Sequence, residues 1–310
     1  MSNMSKSFTL IEILVVIVII GILSAFIIVG MGSINSSANI AKSKVFANSL
    51  RNSLLMSLTS EWKLDIINSP ATDQTPDSWG INTGTLKENG YAGACDSSHC
   101  PQLQTANCVF GNCLSFDGVN DYIYFGDVLD IGASDLTICF WAKVNSLPFP
   151  ENKYLIGKSD ASGTDGRYAV GIIPNGKVIA IFDPSVGTTV NSVNNVNVGW
   201  NFISVVWDRD NTMKIYLNGY YENEISISSG NGINFNTAIP FLIGAYTPTS
   251  YFFGGQIDNA SFFFGVFSSS QIQQNYFLGL NSLYKNRALT KTEYTQKLKE
   301  FKNSLAQSSD

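Results

Sequence analysis

The chain has 310 residues, 45% of them hydrophobic and 14% charged, with a formal net charge of −5 at neutral pH. Its Lys and Arg residues are scattered rather than gathered into a stripe, so a nucleic-acid-binding surface is not supported. It contains one histidine, His99, set beside cysteines in a loop, which leaves a Ser-His-Asp arrangement without a good base.

In chain order, the first feature is an apolar run. From Phe8 to Ala41 the one charged side chain is Glu12, and from Ile13 to Val29 the aliphatic run is broken only by Gly21, Ser24 and Phe26. A bilayer-crossing helix needs roughly 20 such residues. The apolar part of a cleaved secretory signal is shorter, about 7–15 residues, and ends at a small-x-small site. Gly30-Met31-Gly32 is only a weak site of that kind, so the run is predicted to be a membrane helix. A carboxylate inside such a helix costs a few kcal/mol unless it is paired, and intramembrane charges are usually functional.

The residues before Glu12 account for it. "KSFTLIE", Lys6 to Glu12, resembles the class III signal of type IV prepilins: a short basic leader, a small residue at the cut, then Phe-Thr-Leu-Ile-Glu opening a hydrophobic helix. The resemblance implies cleavage between Ser7 and Phe8 by a prepilin peptidase and methylation of the new Phe8 amine. It also implies pairing of Glu12 with the N-terminal amine of a neighbouring subunit during assembly. The family usually has Gly before the cut, where this chain has Ser7. Further implied partners are an inner-membrane platform protein, an assembly ATPase and other copies of the chain. Lys6 in the leader predicts that the bulk of the chain lies outside the cytoplasm. The expected path is insertion in the inner membrane, then display at the cell surface.

Beyond Gly32, Ala47, Leu50, Leu54 and Leu58 recur at three- and four-residue steps, with Lys42, Lys44, Arg51 and Asn52 elsewhere. This predicts an amphipathic helix. One spine from Phe8 to about Thr59 would be roughly 78 Å long.

From Glu61 the composition turns to Gly, Asn, Ser and Thr between short β-branched runs such as "DLTICFWAKV", "GKVIAIF" and "WNFISVVWD". Closely spaced strands without helical periodicity predict an all-β sandwich. The series "CLSFDGVNDYIYFGD", "LTICFWAKV", "GWNFISVVWDRDNTMKIYLNG" and "FFGGQIDNASFFFGVFSSSQIQ" resembles laminin-G-like, concanavalin A-like domains in order and spacing. Such jelly rolls bind sugars or proteins, act as spacers or hydrolyse glycans, and the fold does not choose among them. The glucanase pattern Glu-x-Asp-x-x-Glu is absent, and Glu61 with Asp65 reads as edge solvation or a turn cap, so no enzymatic role is expected. The resemblance also makes calcium a candidate ligand. Asp77 and Asn82 after the first strand and Asp258 on the last are candidate donors, with turn chemistry the alternative for each. Asp117, Asn120 and Asp121 in "FDGVND" read as a turn first. Tyr251, Phe252 and Phe253 are candidate aromatic platforms for sugar.

Cys95, Cys100, Cys108 and Cys113 cluster as C-x4-C-x7-C-x4-C, and Cys139 stands apart. On an exported chain the four predict two disulfides; local pairing is the simplest of three connectivities, and a zinc site with His99 is the rival. Cys139 is expected to be a buried thiol. In the C-terminal stretch Ile272, Tyr276, Leu280 and Leu283 form a helical stripe, with Ser270 as the expected cap, and a second short helix follows Arg287. Phe262, Phe263 and Phe264 cannot share one face of a strand, so the first of these helices is expected to cover the other face.

The predicted organisation is therefore α+β: a leader at 1–7, a long N-terminal helix at 8–60, a laminin-G-like sandwich at 61–268 and a helical tail at 269–310. The expected function is a structural subunit of a type IV pilus or pseudopilus-like filament with an adhesive head for glycan or protein. A membrane-anchored binding module that does not polymerise is the alternative.

Overall fold

The computed structural model describes residues 57–65, 73–90, 92, 95–96, 98–160, 167–183 and 187–307. The cut at Ser7 and Phe8, Glu12 and the long N-terminal helix lie outside them. Among the described residues no helix is long and apolar enough to cross a membrane.

Two antiparallel sheets of eight strands each pack face to face. One contains β1 (Leu58–Trp62), β4 (Gln102–Gln104), β5 (Cys113–Asp117), β7 (Leu136–Val144), β12 (Gly199–Trp207), β13 (Thr212–Leu217), β14 (Tyr220–Ser226) and β16 (Gly254–Phe264). Its order is β14-β13-β12-β7-β16-β5-β4, with β1 also paired to β16. The other contains β2 (Gln74–Thr75), β3 (Gly84–Glu88), β6 (Asp121–Tyr124), β8 (Lys153–Lys158), β9 (Arg167–Ile172), β10 (Lys177–Asp183), β11 (Thr188–Asn195) and β15 (Phe241–Ile243), in the order β11-β10-β9-β8-β15-β6-β3-β2.

The two-residue side-chain period explains the buried strands. On β7, Leu136, Ile138, Phe140, Ala142 and Val144 enter the core between the sheets. Of the alternate, outward-facing residues Thr137, Cys139 and Trp141 are also buried, and a helix covers Trp141. That helix, α1 (Ser269–Lys285), stacks Tyr276 on Trp141 with centroids 5.8 Å apart. Gly279 permits the approach: a Cβ there would lie 2.3 Å from the Trp141 ring. A second helix, α2 (Lys291–Gln307), seats Phe301 against Tyr220 and Tyr276. The core's aromatic centre joins the sheets through Trp62, Phe125 and Phe241, and through Tyr168, Trp207 and Phe262.

Several boundaries differ from the sequence reading. Leu58 and Thr59 belong to β1 rather than to a helix, since pairing with Phe263 and its neighbours on β16 outweighs their place in the apolar stripe. The cap of α1 is Ser268, not Ser270: its Oγ accepts the Gln271 N–H while Gln271 Oε1 accepts the Ser268 N–H, a reciprocal capping box. Phe262 is core and Phe263 faces outward, but Phe263 packs on Phe267, before the helix, while α1 itself lies over Trp141 and reaches Phe202. The disulfides are the local pairs Cys95–Cys100 and Cys108–Cys113, and Cys139 is a buried free thiol.

Candidate functional site

On the outer face of the second sheet, β8 carries an irregular register with β9 between Tyr154 and Ile156. Leu155 and Ile156 both belong to the core, while Tyr154 packs on the opposite face with Ala169, Ile181 and Tyr246. Such an irregularity re-aims a side chain beside a site. The loop between β15 and β16 then folds over Tyr154. Thr247 Oγ1 and Ser250 Oγ are 2.7 Å apart, and the Thr249 N–H donates to Thr247 Oγ1. The Tyr154 N–H donates to the Tyr251 carbonyl at 3.2 Å.

Tyr251 is 41% exposed. Its φ of +57° lies in the left-handed region, an arrangement that persists where surroundings hold it and that clusters at ligand sites. The Tyr154 and Tyr246 rings are 4.3 Å apart, and Tyr251 meets them edge-on at 6.1 and 5.9 Å. Arg167 secures the base, donating to the Tyr246 hydroxyl and forming an ion pair with Asp183. Burial pushes the Tyr154 hydroxyl up to about 12 and raises that of Tyr246, with Arg167 opposing, so both remain protonated donors at neutral pH. Beside this cluster is an open groove of about 640 Å³ lined by Val119, Glu151, Thr249, Ser250, Tyr251 and Phe252.

The three aromatic residues singled out in the sequence therefore separate. Tyr251 is a groove wall. Phe252 is 6% exposed and packs beside Tyr122, while Phe253 is fully buried in the core. Phe253 faces inward because its N–H pairs with the Gly244 carbonyl, drawing the backbone into the sheet. Tyr154, Tyr246, Arg167 and Glu151 were not singled out; Tyr154 and Tyr251 are brought together by a loop crossing that no local pattern encodes.

Of the candidate calcium donors, Asp77 and Asn82 share one turn and Asp258 is used in another loop. Asp77 Oδ1 accepts the N–H groups of Glu61, Trp79 and Gly80, and its Oδ2 that of Asn82, so this carboxylate is used as a turn cap. Asn82 joins it, bonding Ser60 through Nδ2 and accepting Trp62 Nε1 on its carbonyl. Asp258 serves another loop, where its Oδ2 accepts from Val109 and Phe110 at 2.7 and 2.9 Å. Burial raises the Asp258 carboxyl well above the ordinary carboxylate range, the Phe110 and Val109 N–H groups opposing. Among the described residues no group of three or more His, Cys, Asp or Glu is placed to hold a metal ion. In "FDGVND" Asp117 Oδ1 caps the turn, accepting from Val119 and Asn120. His99 pairs with Asp96 rather than with a metal, its cysteine neighbours being oxidised.

The two-sheet sandwich agrees with the family that matches it. The family described as the concanavalin A-like lectin/glucanases superfamily matches residues 117–273. The chain belongs to this superfamily. It also carries the prokaryotic N-terminal methylation motif, the type IV pilin signal, at residues 2–28. No curated protein matches the chain. Among solved structures, domain 4 of the extracellular arabinanase AbnA from Geobacillus stearothermophilus, in complex with arabinotriose, is similar with a TM-score of 0.53. The two are 18% identical over 70% of this chain and 97% of that one. The botulinum neurotoxin serotype D ligand-binding domain in complex with N-acetylneuraminic acid gives 0.55 at 15% identity, over 74% of this chain and 52% of that one. The binding domain of Paraclostridial Mosquitocidal Protein 1 gives 0.54 at 14% identity, over 74% and 53%. The chain thus spans about half the length of the two toxin domains, and at these identities the likeness is one of fold.

Proposed function

We propose that the chain is a subunit of a type IV pilus or pseudopilus-like filament, assembled through its N-terminal segment and displaying a glycan-binding head for adhesion. The observation that carries this reading is the joining of the methylation motif, with Glu12 inside it, to a superfamily domain whose Tyr251 is held outward over a groove. A simple membrane anchor has no use for a carboxylate at Glu12, whereas a subunit that pairs it on assembly does. Processing by a prepilin peptidase and export by a platform protein and ATPase follow from the same reading. So does a path through the membrane to the cell surface.

The head is read as a binder rather than an enzyme. Glycoside hydrolysis ordinarily needs two carboxyl groups about 5–10 Å apart across the bond, and the groove is lined by one acidic residue, Glu151. A solved domain of this fold that holds arabinotriose supports sugar as the ligand class.

The deciding experiment is intact mass and N-terminal sequencing of protein sheared from the cell surface. A chain starting at Phe8, methylated on its amine and recovered in filaments, is the expected outcome. A chain keeping Met1 or Ser2 and found only in membranes favours the second reading, an anchored module, for which Ser7 in the place usual for Gly is the motivating residue.

A further inference from the structure

The chemistry of the groove narrows its ligand. Its lining includes one exposed aromatic ring, Tyr251, together with Thr249 and Ser250, which carry hydroxyls. An aromatic ring with a polar tip suits a pyranose or furanose face, and hydroxyls both donate to and accept from sugar hydroxyls. The groove, about 640 Å³, is open to solvent, so it would take a sugar along one face rather than enclose it.

The charges decide between neutral and acidic sugars. Glu151 is half exposed at the groove, and none of the lining residues is a cation. The neighbouring Lys153 is 7% exposed and donates to Glu151 at 3.0 Å. Arg167 is occupied by Asp183, the Tyr246 hydroxyl and the Asp160 carbonyl. A sugar carboxylate entering here would meet Glu151, already paired with Lys153, and among the described residues none that lines the groove is a cation to receive it, whereas recognition of carboxylates characteristically uses a forked Arg.

Resting on the reading that this groove binds glycan, we infer that it selects uncharged oligosaccharides and rejects sialylated or uronic ones, Tyr251 stacking on the sugar and Glu151 accepting from its hydroxyls. Stripping water from a sugar carboxylate that finds no cationic partner sets the expected discrimination at about tenfold.

The test uses the full chain, purified in detergent, on an array pairing neutral glycans with their sialylated and uronic counterparts, followed by calorimetry on the best neutral ligand and its acidic partner. The expected result is binding of neutral glycans, weakened about tenfold or more by Tyr251→Ala at unchanged melting temperature. Thr249→Trp, which fills the groove from an exposed position, is expected to do the same, and guards against a folding defect in Tyr251→Ala. Glu151→Lys is expected to raise acidic-glycan binding by about tenfold. Binding confined to acidic glycans and lost in both groove-wall variants would overturn the neutral class while leaving the groove as the glycan site. Binding of no glycan, or binding indifferent to both variants, would overturn the glycan reading itself.

Discussion

Single residues in this fold owe their chemistry to what covers them. Cys139 faces away from the core on β7, yet it is 4% exposed, its thiol lies 3.0 Å from Ser204 Oγ, and burial pushes it up to about 12. It should resist thiol reagents at pH 8 in the native protein and react once the chain is unfolded in urea, as a colorimetric thiol assay would show. Asp121 shows the same principle for an acid. Burial, with the Asp117 and Glu88 carboxylates adding to it and the Asp117 N–H opposing, raises its carboxyl to about 7. The folded state therefore holds this proton more tightly than the unfolded chain does. The resulting stability is present in full below the ordinary carboxylate value and is lost as pH rises from about 4 to about 7. Urea midpoints should fall across that window, and Asp121→Asn should flatten the fall by about 1–2 kcal/mol, allowing for solvent screening. "FDGVND" announced a turn; that its last carboxyl would be raised depended first on its burial in the folded sandwich, with the Asp117 and Glu88 carboxylates adding to it.

Among elements, the contact of α1 with β7 is the tightest to test. Alanine at Gly279 gains helix propensity, by about 1 kcal/mol, but its Cβ would stand 2.3 Å from the Trp141 ring. Overpacking should win, and Gly279→Ala should lower stability by about 1–3 kcal/mol and alter the near-ultraviolet tryptophan signal. The Cys108–Cys113 pair closes the loop whose Val109 and Phe110 N–H groups hold Asp258. Replacing both cysteines with Ser should cost roughly 2 kcal/mol, read as a lower urea midpoint. The apolar stripe of α1 was plain in Ile272, Tyr276, Leu280 and Leu283, all buried as the spacing predicts. Its cap was misplaced at Ser270, although Ser268 stands three residues before Gln271, the spacing a capping box requires. At β1 local periodicity misled, because Leu58 serves a helical stripe and a strand ladder equally well and only β16 decides between them.

At the scale of the whole molecule, one chain carries both a methylation motif and a concanavalin A-like sandwich. If Glu12 exists to be paired during assembly, Glu12→Ala should remove filaments from the cell surface while leaving the head folded, a result that electron microscopy of sheared material and the head's unfolding midpoint would establish together. The sequence by itself determined the motif with its Phe8 and Glu12, the β-rich class of the head and the alternation that buries β7. These are local: they depend on residue order and on a period of two. Only the tertiary structure decided that Asp77 and Asp258 serve separate loops, that Phe253 is core, and that Tyr154, Tyr246 and Tyr251 share one site. The reason is that a groove is made by backbone crossings between segments distant in the chain. Which face a loop residue presents is set by a hydrogen bond such as that from Tyr154 to the Tyr251 carbonyl, and no residue within reach along the chain encodes it.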